Sequence, residues 1–172
     1  IMRLAPIPMF YSNDIDSVIY YSGESSRTTH GSSECIDAAR YFGLVLTRSL
    51  NGALKEEIIS KCEPDLISSN SILKISNGDY LNKSENEIIG SGYVVKSLEA
   101  ALWCFMKTDS FEDAVLKAVN LGDDADTTGA ICGQIVGAYY GESNIPDNWL
   151  NRLCMVDEIR EISDHLMSVK KK

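Results

Sequence analysis

The sequence predicts an all-α domain, and three observations lead to this fold class. Apolar residues recur close to helical spacing in most segments, as in Ile36, Ala39, Tyr41, Phe42, Leu44 and Leu46. Residues typical of helix starts and stops bound these segments. Evidence for strands is thin, because only "GYVV" at residues 92–95 has a strand-like composition. With 172 residues, of which 44% are hydrophobic, the chain has the size of one domain with a substantial core.

Capping residues place the helices of the first third of the chain. The segment "NDIDSVIYYSG" has Asn13 or Asp14 as its N-cap and is expected to stop at Gly23. The segment "SSECIDAARYFGLVLTRSLNG" begins at Ser32 or Ser33 and ends at its Asn-Gly pair. A shorter amphipathic helix is predicted in "ALKEEIISKC", ending before the proline that follows.

The rest of the chain is also predicted to be helical, apart from one polar segment. Residues 63–92 are rich in serine and asparagine and are interpreted as mainly loop, with room for one short helix. A largely buried helix is predicted in "KSLEAALWCFMKT", and the next, in "DSFEDAVLKAVNLG", is capped by Asp109 or Ser110. A helix over residues 127–140 follows, and a last long helix opens at Pro146 and continues through "NWLNRLCMVDEIREISDHLMSV".

Glycines recur at every fourth position along the helix predicted for residues 127–140 and directly after it: Gly129, Gly133, Gly137 and Gly141. Four-residue spacing puts them on one slowly drifting face. Each interior glycine costs about 1 kcal/mol relative to alanine. We therefore expect this face to recover that cost through close backbone contact with a neighbouring helix, which would hold the start of the helix rigid.

Charge and cysteine content exclude several classes of function. The formal net charge is −9, so a nucleic acid is not expected to be the main partner. No apolar run is long enough for a membrane span, and no signal-peptide pattern opens the chain. The five cysteines are widely spaced, without a CxxC pair. They indicate reduced, mostly buried thiols in a cytoplasmic protein.

The most informative stretch is "GDDADTTGA", residues 122–130, in which three aspartates and two threonines occupy six positions. Two carboxylates about 4 Å apart repel by about 4 kcal/mol at an effective dielectric constant of 20. Capping of the next helix would explain one acidic residue, since helix N-termini favour negative charge. Three aspartates followed by two hydroxyls favour a hard cation, Mg²⁺, Mn²⁺ or Ca²⁺, held by oxygen ligands.

Two known metal motifs overlap with this stretch. An EF-hand loop beginning at Asp124 would need a glutamate at its twelfth position, where the chain has Ile135, so this interpretation is rejected. The DxDxT string from Asp124 to Thr128 also occurs in haloacid dehalogenase-like phosphatases. There it should end a hydrophobic strand near the beginning of an α/β domain. Here it follows a predicted helix, so this phosphatase remains a remote alternative.

A longer pattern resembles the ADP-ribosylglycohydrolase family. The stretch "GDDADTTGAICGQIVGAYYG" is similar to the C-terminal signature of that family almost letter for letter. The similarity extends through "IMRLAPIPMF", "THGSSECIDAARYFGLVL", "SGYVVKSLEAALWCF", "SFEDAVLKAVNLG" and "IPDNW", and so covers nearly the whole chain.

The resemblance implies a compact multi-helix orthogonal bundle around two divalent cations, Mg²⁺ or Mn²⁺. It also implies hydrolysis of the bond between the ribose of ADP-ribose and an acceptor, on an ADP-ribosylated protein or a small ADP-ribose conjugate. A non-catalytic ADP-ribose-binding or structural member of the family is the alternative. The family's metal ligands fall on Asp124, Asp126 and Thr127. Asp123 occupies a position where many relatives have glycine, and Thr128 is expected to help start the helix.

The substrate residues that the resemblance implies are His30, Ser32, Gly92 and Tyr93. The residues alone leave two alternatives open, since His30 could instead cap the following helix and Tyr93 could belong to the core. Arg3 has the side chain of a phosphate ligand, but we expect it to form a structural salt bridge.

One part of the family's site has no counterpart in this sequence. The other metal ligands, a Thr-Asp-Asp stretch and an early glutamate, belong to an N-terminal region, as does the carboxylate that positions the water. The chain opens at Ile1 rather than at a methionine. We therefore expect residues 1–172 to be the C-terminal part of a single domain with half of the metal site. The catalytic carboxylate is expected upstream of residue 1, so this chain alone should show little or no hydrolysis.

Overall fold

The computed structural model describes residues 1–60 and 66–169, and the regular structure in both ranges is entirely helical. The α-helices there are α1 (Pro6–Phe10), α2 (Ile15–Arg27), α3 (Ser33–Leu50), α4 (Lys55–Ile58), α5 (Asn70–Ser76), α6 (Val94–Met106), α7 (Phe111–Asn120), α8 (Ala125–Tyr140), α9 (Asp147–Leu150) and α10 (Val156–Ser168). Two short 3-10 helices cover Glu85–Glu87 and Glu142–Asn144. The all-α prediction is confirmed, and the strand-like "GYVV" leads into α6.

The core lies where α3, α6 and α8 meet, with α7 packed on the outer side of α8 and α2 along α3. Helix α6 is buried from Val95 to Phe105 apart from Lys96, because its sequence is apolar on most sides. Helix α3 buries a broad apolar face from Ile36 to Leu46. None of the helices in the described ranges is both long and apolar enough to cross a membrane.

The predicted caps account for the starts of three helices. The side chains of Asp14, Ser32 and Ser110 accept hydrogen bonds from backbone N–H groups three residues later, at 3.1, 3.3 and 3.0 Å. Each cap satisfies a donor that has no partner inside its helix. These three residues, rather than Asn13, Ser33 and Asp109, are the N-caps.

The expected stop at Gly23 is wrong, because α2 continues to Arg27. Gly23 is buried against α3, and a Cβ atom at this position would lie 2.9 Å from Arg40 Nε. Its lack of a side chain therefore permits close helix packing rather than ending the helix.

The expected single C-terminal helix is also wrong, since α9 and α10 are separate. Met155 precedes α10 with φ at +60°, in the left-handed region, where the chain changes direction. The break allows α10 to pack against α1 at the other end of the chain.

The glycine stripe makes only one of the predicted close contacts. A Cβ at Gly129 would lie 2.8 Å from Val119 Cγ1 of α7. At Gly133 no atom would lie within 4 Å, and at Gly137 the nearest would be a Phe111 ring carbon at 3.9 Å. Gly133 and Gly137 instead border a groove of about 530 Å³ beside α1, α3 and α10, and Gly141 caps the C-terminal end of α8. The prediction of a continuous packing face is therefore wrong.

In its described part, from residue 66 onward, the polar segment before α6 holds the short helix α5, as the sequence allowed, and the 3-10 helix Glu85–Glu87. Asp37 of α3 anchors its beginning, since its buried carboxylate accepts from the Ser68 and Ser69 N–H groups at 2.8 and 2.9 Å. Helix α4 is short, as predicted. It ends at Ile58, before Pro64 as expected but short of the end of the predicted segment. Cys62 lies outside the described residues.

The cysteines of the described ranges are free thiols, in agreement with the sequence. Cys104 and Cys132 are buried and Cys35 is half-buried. Cys154 is exposed, an exception to the expected burial of most of these thiols.

Candidate active site

One cavity of about 480 Å³ brings together segments that are far apart in the sequence. Its walls come from residues 1–4, the end of α2 with the turn after it, and the starts of α3, α6 and α8. Three helix N-termini therefore open onto one space. Unpaired backbone N–H groups and helix dipoles at such ends favour an anionic ligand.

The four predicted substrate residues, His30, Ser32, Gly92 and Tyr93, all line this cavity. Thr127, from the predicted metal set, lines it as well. These residues come from three separate stretches of the sequence, and the packing of α3, α6 and α8 brings them together.

The turn before α3 holds His30 beside the cavity. Ser32 caps α3, so the alternative that His30 is the helix cap does not apply. The backbone N–H of His30 donates to the Ser26 carbonyl at 2.7 Å, and its Nδ1 lies 3.0 Å from Thr29 Oγ1. The imidazole is exposed and close to the end of α2, where it can reach a ligand.

Tyr93 immediately precedes α6 and is 49% exposed, so the alternative that it belongs to the core is wrong. Its hydroxyl donates to Glu34 Oε2 at 2.7 Å, and Ser71 donates to Glu34 Oε1 at 2.8 Å. These hydrogen bonds, with that of Tyr93 the stronger influence, lower the pKa of the Glu34 carboxyl. The same bond to Glu34 raises the pKa of the Tyr93 phenol.

Sequence reasoning missed Glu34, which lines the cavity beside Ser32. In the sequence it looks like an ordinary acidic residue in the first turn of a helix, a position that the helix dipole favours. The signal that could have identified it is its place two residues after Ser32, within the segment that the resemblance assigns to substrate.

The aspartate stretch begins with a tight turn between α7 and α8. Gly122 and Asp123 both have positive φ, +80° and +50°, in the left-handed region. Glycine is the residue that this region favours, which agrees with the glycine expected at the Asp123 position in relatives. The Asp123 side chain is exposed and lies outside the cavity lining.

Asp124 stands at the start of α8 and is fixed by its backbone. Its N–H donates to the Gly90 carbonyl at 2.8 Å, and its carbonyl accepts from Thr128 Oγ1 at 3.1 Å. Thr128 is fully buried at the fourth position of α8, after the residue that starts the helix. Helix α8 begins at Ala125, two residues earlier than predicted.

The predicted metal ligands lie within one turn at the start of α8. A polar contact with the Thr127 side chain, followed by that with Asp126, lowers the pKa of the Asp124 carboxyl. Asp126 is exposed and Thr127 is half-buried. In residues 1–60 and 66–169 no group of three or more His, Cys, Asp or Glu side chains is arranged to hold a metal ion. Two carboxylates and a hydroxyl are hard oxygen donors of the kind that Mg²⁺ and Mn²⁺ prefer, so this donor set fits a partial site.

Gly92 lies between the predicted substrate residue Tyr93 and the predicted metal ligand Asp124. A Cβ atom at this position would lie 2.5 Å from Asp124 Oδ2. The Asp124 carboxylate therefore rests directly on the backbone of the loop that leads to Tyr93.

Arg3 lines the cavity, and its Nη2 donates to Thr28 Oγ1 at 3.1 Å. The salt bridge expected for it is not formed with any carboxylate of the described residues. Among the described cavity-lining residues it is the one arginine or lysine. Its guanidinium can therefore meet an anionic ligand.

The phosphatase alternative does not fit this geometry. The string from Asp124 to Thr128 follows helix α7 and begins helix α8, whereas the phosphatase motif ends a strand. No strand occurs in the part of the chain that the structure describes.

Comparison with known proteins finds related sequences and a related solved structure. A family model described as ADP-ribosylglycohydrolase matches residues 1–172. The ADP-ribosylarginine hydrolase Tri1 of Serratia proteamaculans is 39% identical over 166 residues, which cover 96% of this chain and 45% of that protein. The ADP-ribosyl-[dinitrogen reductase] glycohydrolase of Rhodospirillum rubrum is 41% identical over 81 residues, 46% of this chain and 28% of that protein.

A solved structure described as an ADP-ribosylglycohydrolase-related protein complex superimposes with a TM-score of 0.87 at 36% identity. The match covers 97% of this chain and 59% of the solved chain. This chain thus spans less than half the length of the Tri1 relative and about three fifths of the solved chain.

Proposed function

Because this chain belongs to the ADP-ribosylglycohydrolase family, we propose that it forms part of a hydrolase that releases ADP-ribose from an acceptor. The observation that carries the proposal is the cavity at which three helix N-termini meet. This cavity gathers His30, Ser32, Gly92 and Tyr93 beside Thr127 at the start of α8.

The cavity suits ADP-ribose in size and charge. A volume of about 480 Å³ is within the range of small-molecule sites. The N-termini of α3, α6 and α8, together with Arg3, supply the positive potential that a diphosphate requires. The half-exposed ring of Tyr93 supplies an aromatic face against which a base or sugar can pack.

We further propose that Asp124, Asp126 and Thr127 hold divalent cations, Mg²⁺ or Mn²⁺, and that the remaining ligands come from residues outside 1–172. Such ions, when bound, polarise a ribose hydroxyl or the leaving group and orient a water molecule. The support from this chain is its set of oxygen donors, two carboxylates and one hydroxyl within four consecutive positions.

The chain's own residues have separate roles in this proposal. His30 and Ser32 contact the substrate, and the backbone at Gly92 supports the Asp124 carboxylate. The nearby carboxylates also stabilise the positive charge that develops on the ribose as its glycosidic bond breaks. The carboxylate that positions the attacking water is proposed to lie outside this chain.

ADP-ribosylated arginine is the acceptor to test first, because the Tri1 relatives named for it are 39% and 37% identical to this chain. The substrate would then be an ADP-ribosylated protein or a small conjugate. A cytoplasmic location remains a prediction from the cysteine pattern.

The test compares three aspartate variants of the full-length protein. Asp124→Ala and Asp126→Ala should abolish release of ADP-ribose from an ADP-ribosylated arginine peptide, and both should weaken Mn²⁺ binding in calorimetry. Asp123→Asn, which keeps a residue that tolerates positive φ, is the matched control and should retain both. Unchanged turnover in either alanine variant contradicts the proposal. Binding of ADP-ribose without any turnover by the wild type supports the non-catalytic alternative instead.

A further inference from the structure

We propose that Glu34 is a positioning residue for the substrate, acting by holding the Tyr93 ring at the edge of the cavity. Ser71 in turn holds Glu34. The inference rests on the proposed function, since it assigns a role within the same ADP-ribose site.

The geometry links three helices through one carboxylate. Glu34 lies in the first turn of α3, Tyr93 immediately before α6, and Ser71 in the first turn of α5. Tyr93 donates to one carboxylate oxygen at 2.7 Å and Ser71 donates to the other at 2.8 Å. Both oxygens of Glu34 therefore have a protein donor, and the side chain is oriented from two directions.

Tyr93 needs such an anchor because the residue is 49% exposed. A surface tyrosine that little packing restrains samples several rotamers and loses that freedom when a ligand binds. A hydrogen bond to an ionised acceptor is stronger than one between neutral groups and fixes the ring in advance. Preorganisation of this kind increases affinity by reducing the entropy lost on binding.

The charge state of the carboxyl supports this role. The hydrogen bonds from Tyr93 and Ser71 lower the pKa of Glu34, so the carboxylate is ionised at neutral pH. Glu34 and Tyr93 both line the cavity, adjacent to Ser32 and Gly92. A change at Glu34 should therefore affect how the ligand is held rather than the bond-breaking step.

The experiment measures ADP-ribose binding, KM and kcat in the full-length protein. Glu34→Ala and Tyr93→Phe should each weaken ADP-ribose binding and raise KM about three- to tenfold, with kcat within about twofold. The double variant should match either single variant, because both remove the same hydrogen bond. Glu34→Gln should restore most of the affinity, since its amide oxygen still accepts from Tyr93.

Glu87→Ala is the matched control. Like Glu34, Glu87 accepts hydrogen bonds from a serine, here Ser84, and has a lowered carboxyl pKa. Glu87 is exposed and lies outside the cavity lining. The KM of the Glu87→Ala variant and its affinity for ADP-ribose should be unchanged. Circular dichroism should show that all of the variants are folded.

Several results would overturn the inference. If the wild type hydrolyses its substrate and Glu34→Ala leaves KM and affinity unchanged, the positioning role is wrong and the proposed function stands. A loss confined to kcat, or additive effects in the double variant, also excludes the role. A wild type that neither binds nor releases ADP-ribose overturns the proposed function, and the inference with it.

Discussion

Replacing Gly92 with alanine should weaken metal binding without unfolding the protein. The added Cβ would lie 2.5 Å from Asp124 Oδ2, about 1 Å closer than ordinary van der Waals contact allows. Gly92 does not have positive φ, so alanine fits its backbone, and the Asp124 side chain is the group that must move. Metal–oxygen distances tolerate deviations of only about 0.2 Å. A shift of about 1 Å should therefore lower Mn²⁺ affinity by about ten- to a hundredfold, as loss of a ligand's support typically does.

Calorimetry with Mn²⁺ and release of ADP-ribose are the two assays for this substitution in the full-length protein. The free energy of unfolding should change by less than about 1 kcal/mol, because a flexible carboxylate absorbs the clash. Gly133→Ala is the control, since a Cβ added there on α8 would have no atom within 4 Å. It should stabilise the helix by about 0.5 to 1 kcal/mol with unchanged affinity. Full Mn²⁺ affinity and turnover in Gly92→Ala would refute the coupling between this glycine and the metal site.

Three further predictions concern stability and thiol chemistry. Asp37→Ala should lower the free energy of unfolding in urea by about 3 kcal/mol, because the Ser68 and Ser69 N–H groups lose their buried acceptor. A loss below about 1 kcal/mol would contradict this. Lys55→Met should cost about 1 to 2 kcal/mol in the same assay, since Nζ donates to the Phe105 and Thr108 carbonyls and lies 5.0 Å from the Phe105 ring centroid. An unchanged midpoint of urea unfolding in Lys55→Met would show that these Lys55 contacts do not contribute to stability. A thiol reagent at pH 8 should modify the exposed Cys154 and spare Cys104 and Cys132 until the protein unfolds. Burial raises the pKa of both buried thiols, that of Cys104 to about 12, so neither is ionised at this pH. Mass spectrometry of labelled peptides checks this, and modification of Cys104 or Cys132 before unfolding would contradict it.

The sequence predicts the helices well where the signals are local. The caps at Asp14, Ser32 and Ser110 act on backbone groups three residues away, so the residues that determine them are adjacent in the chain. Helix α2 continues through Gly23, which packs closely against Arg40 of α3, and no local pattern reveals that contact. The break before α10 occurs at Met155, a residue that seldom adopts positive φ and so gives no warning in the sequence.

The glycines of α8 illustrate the same limit. Their spacing is a property of the sequence, but only Gly129 meets a close neighbour, Val119. Whether a helix packs against the face that carries such glycines depends on the tertiary arrangement of α1, α7 and α10. Periodicity identifies a face and does not specify what covers it.

The residues of the candidate site also differ in how far the sequence alone predicts them. The predicted metal ligands lie within four consecutive positions, so their proximity follows from the chain itself. The substrate residues are predicted through the family resemblance, and the structure brings them to one cavity. Glu34 escapes sequence reasoning because its environment comes from Tyr93 and Ser71, which are 59 and 37 residues away in sequence. Long-range hydrogen bonds of this kind become visible only after α3, α5 and α6 have packed.

We propose that Asp124, Asp126 and Thr127, at the start of α8, bind metal beside an ADP-ribose cavity. The most direct test is anomalous diffraction from crystals of the full-length protein grown with Mn²⁺ and ADP-ribose. We predict an anomalous peak in contact with Asp124, Asp126 and Thr127, and ADP-ribose density between His30 and Tyr93. Fully occupied ADP-ribose elsewhere, or manganese bound only away from these three residues, would contradict the account.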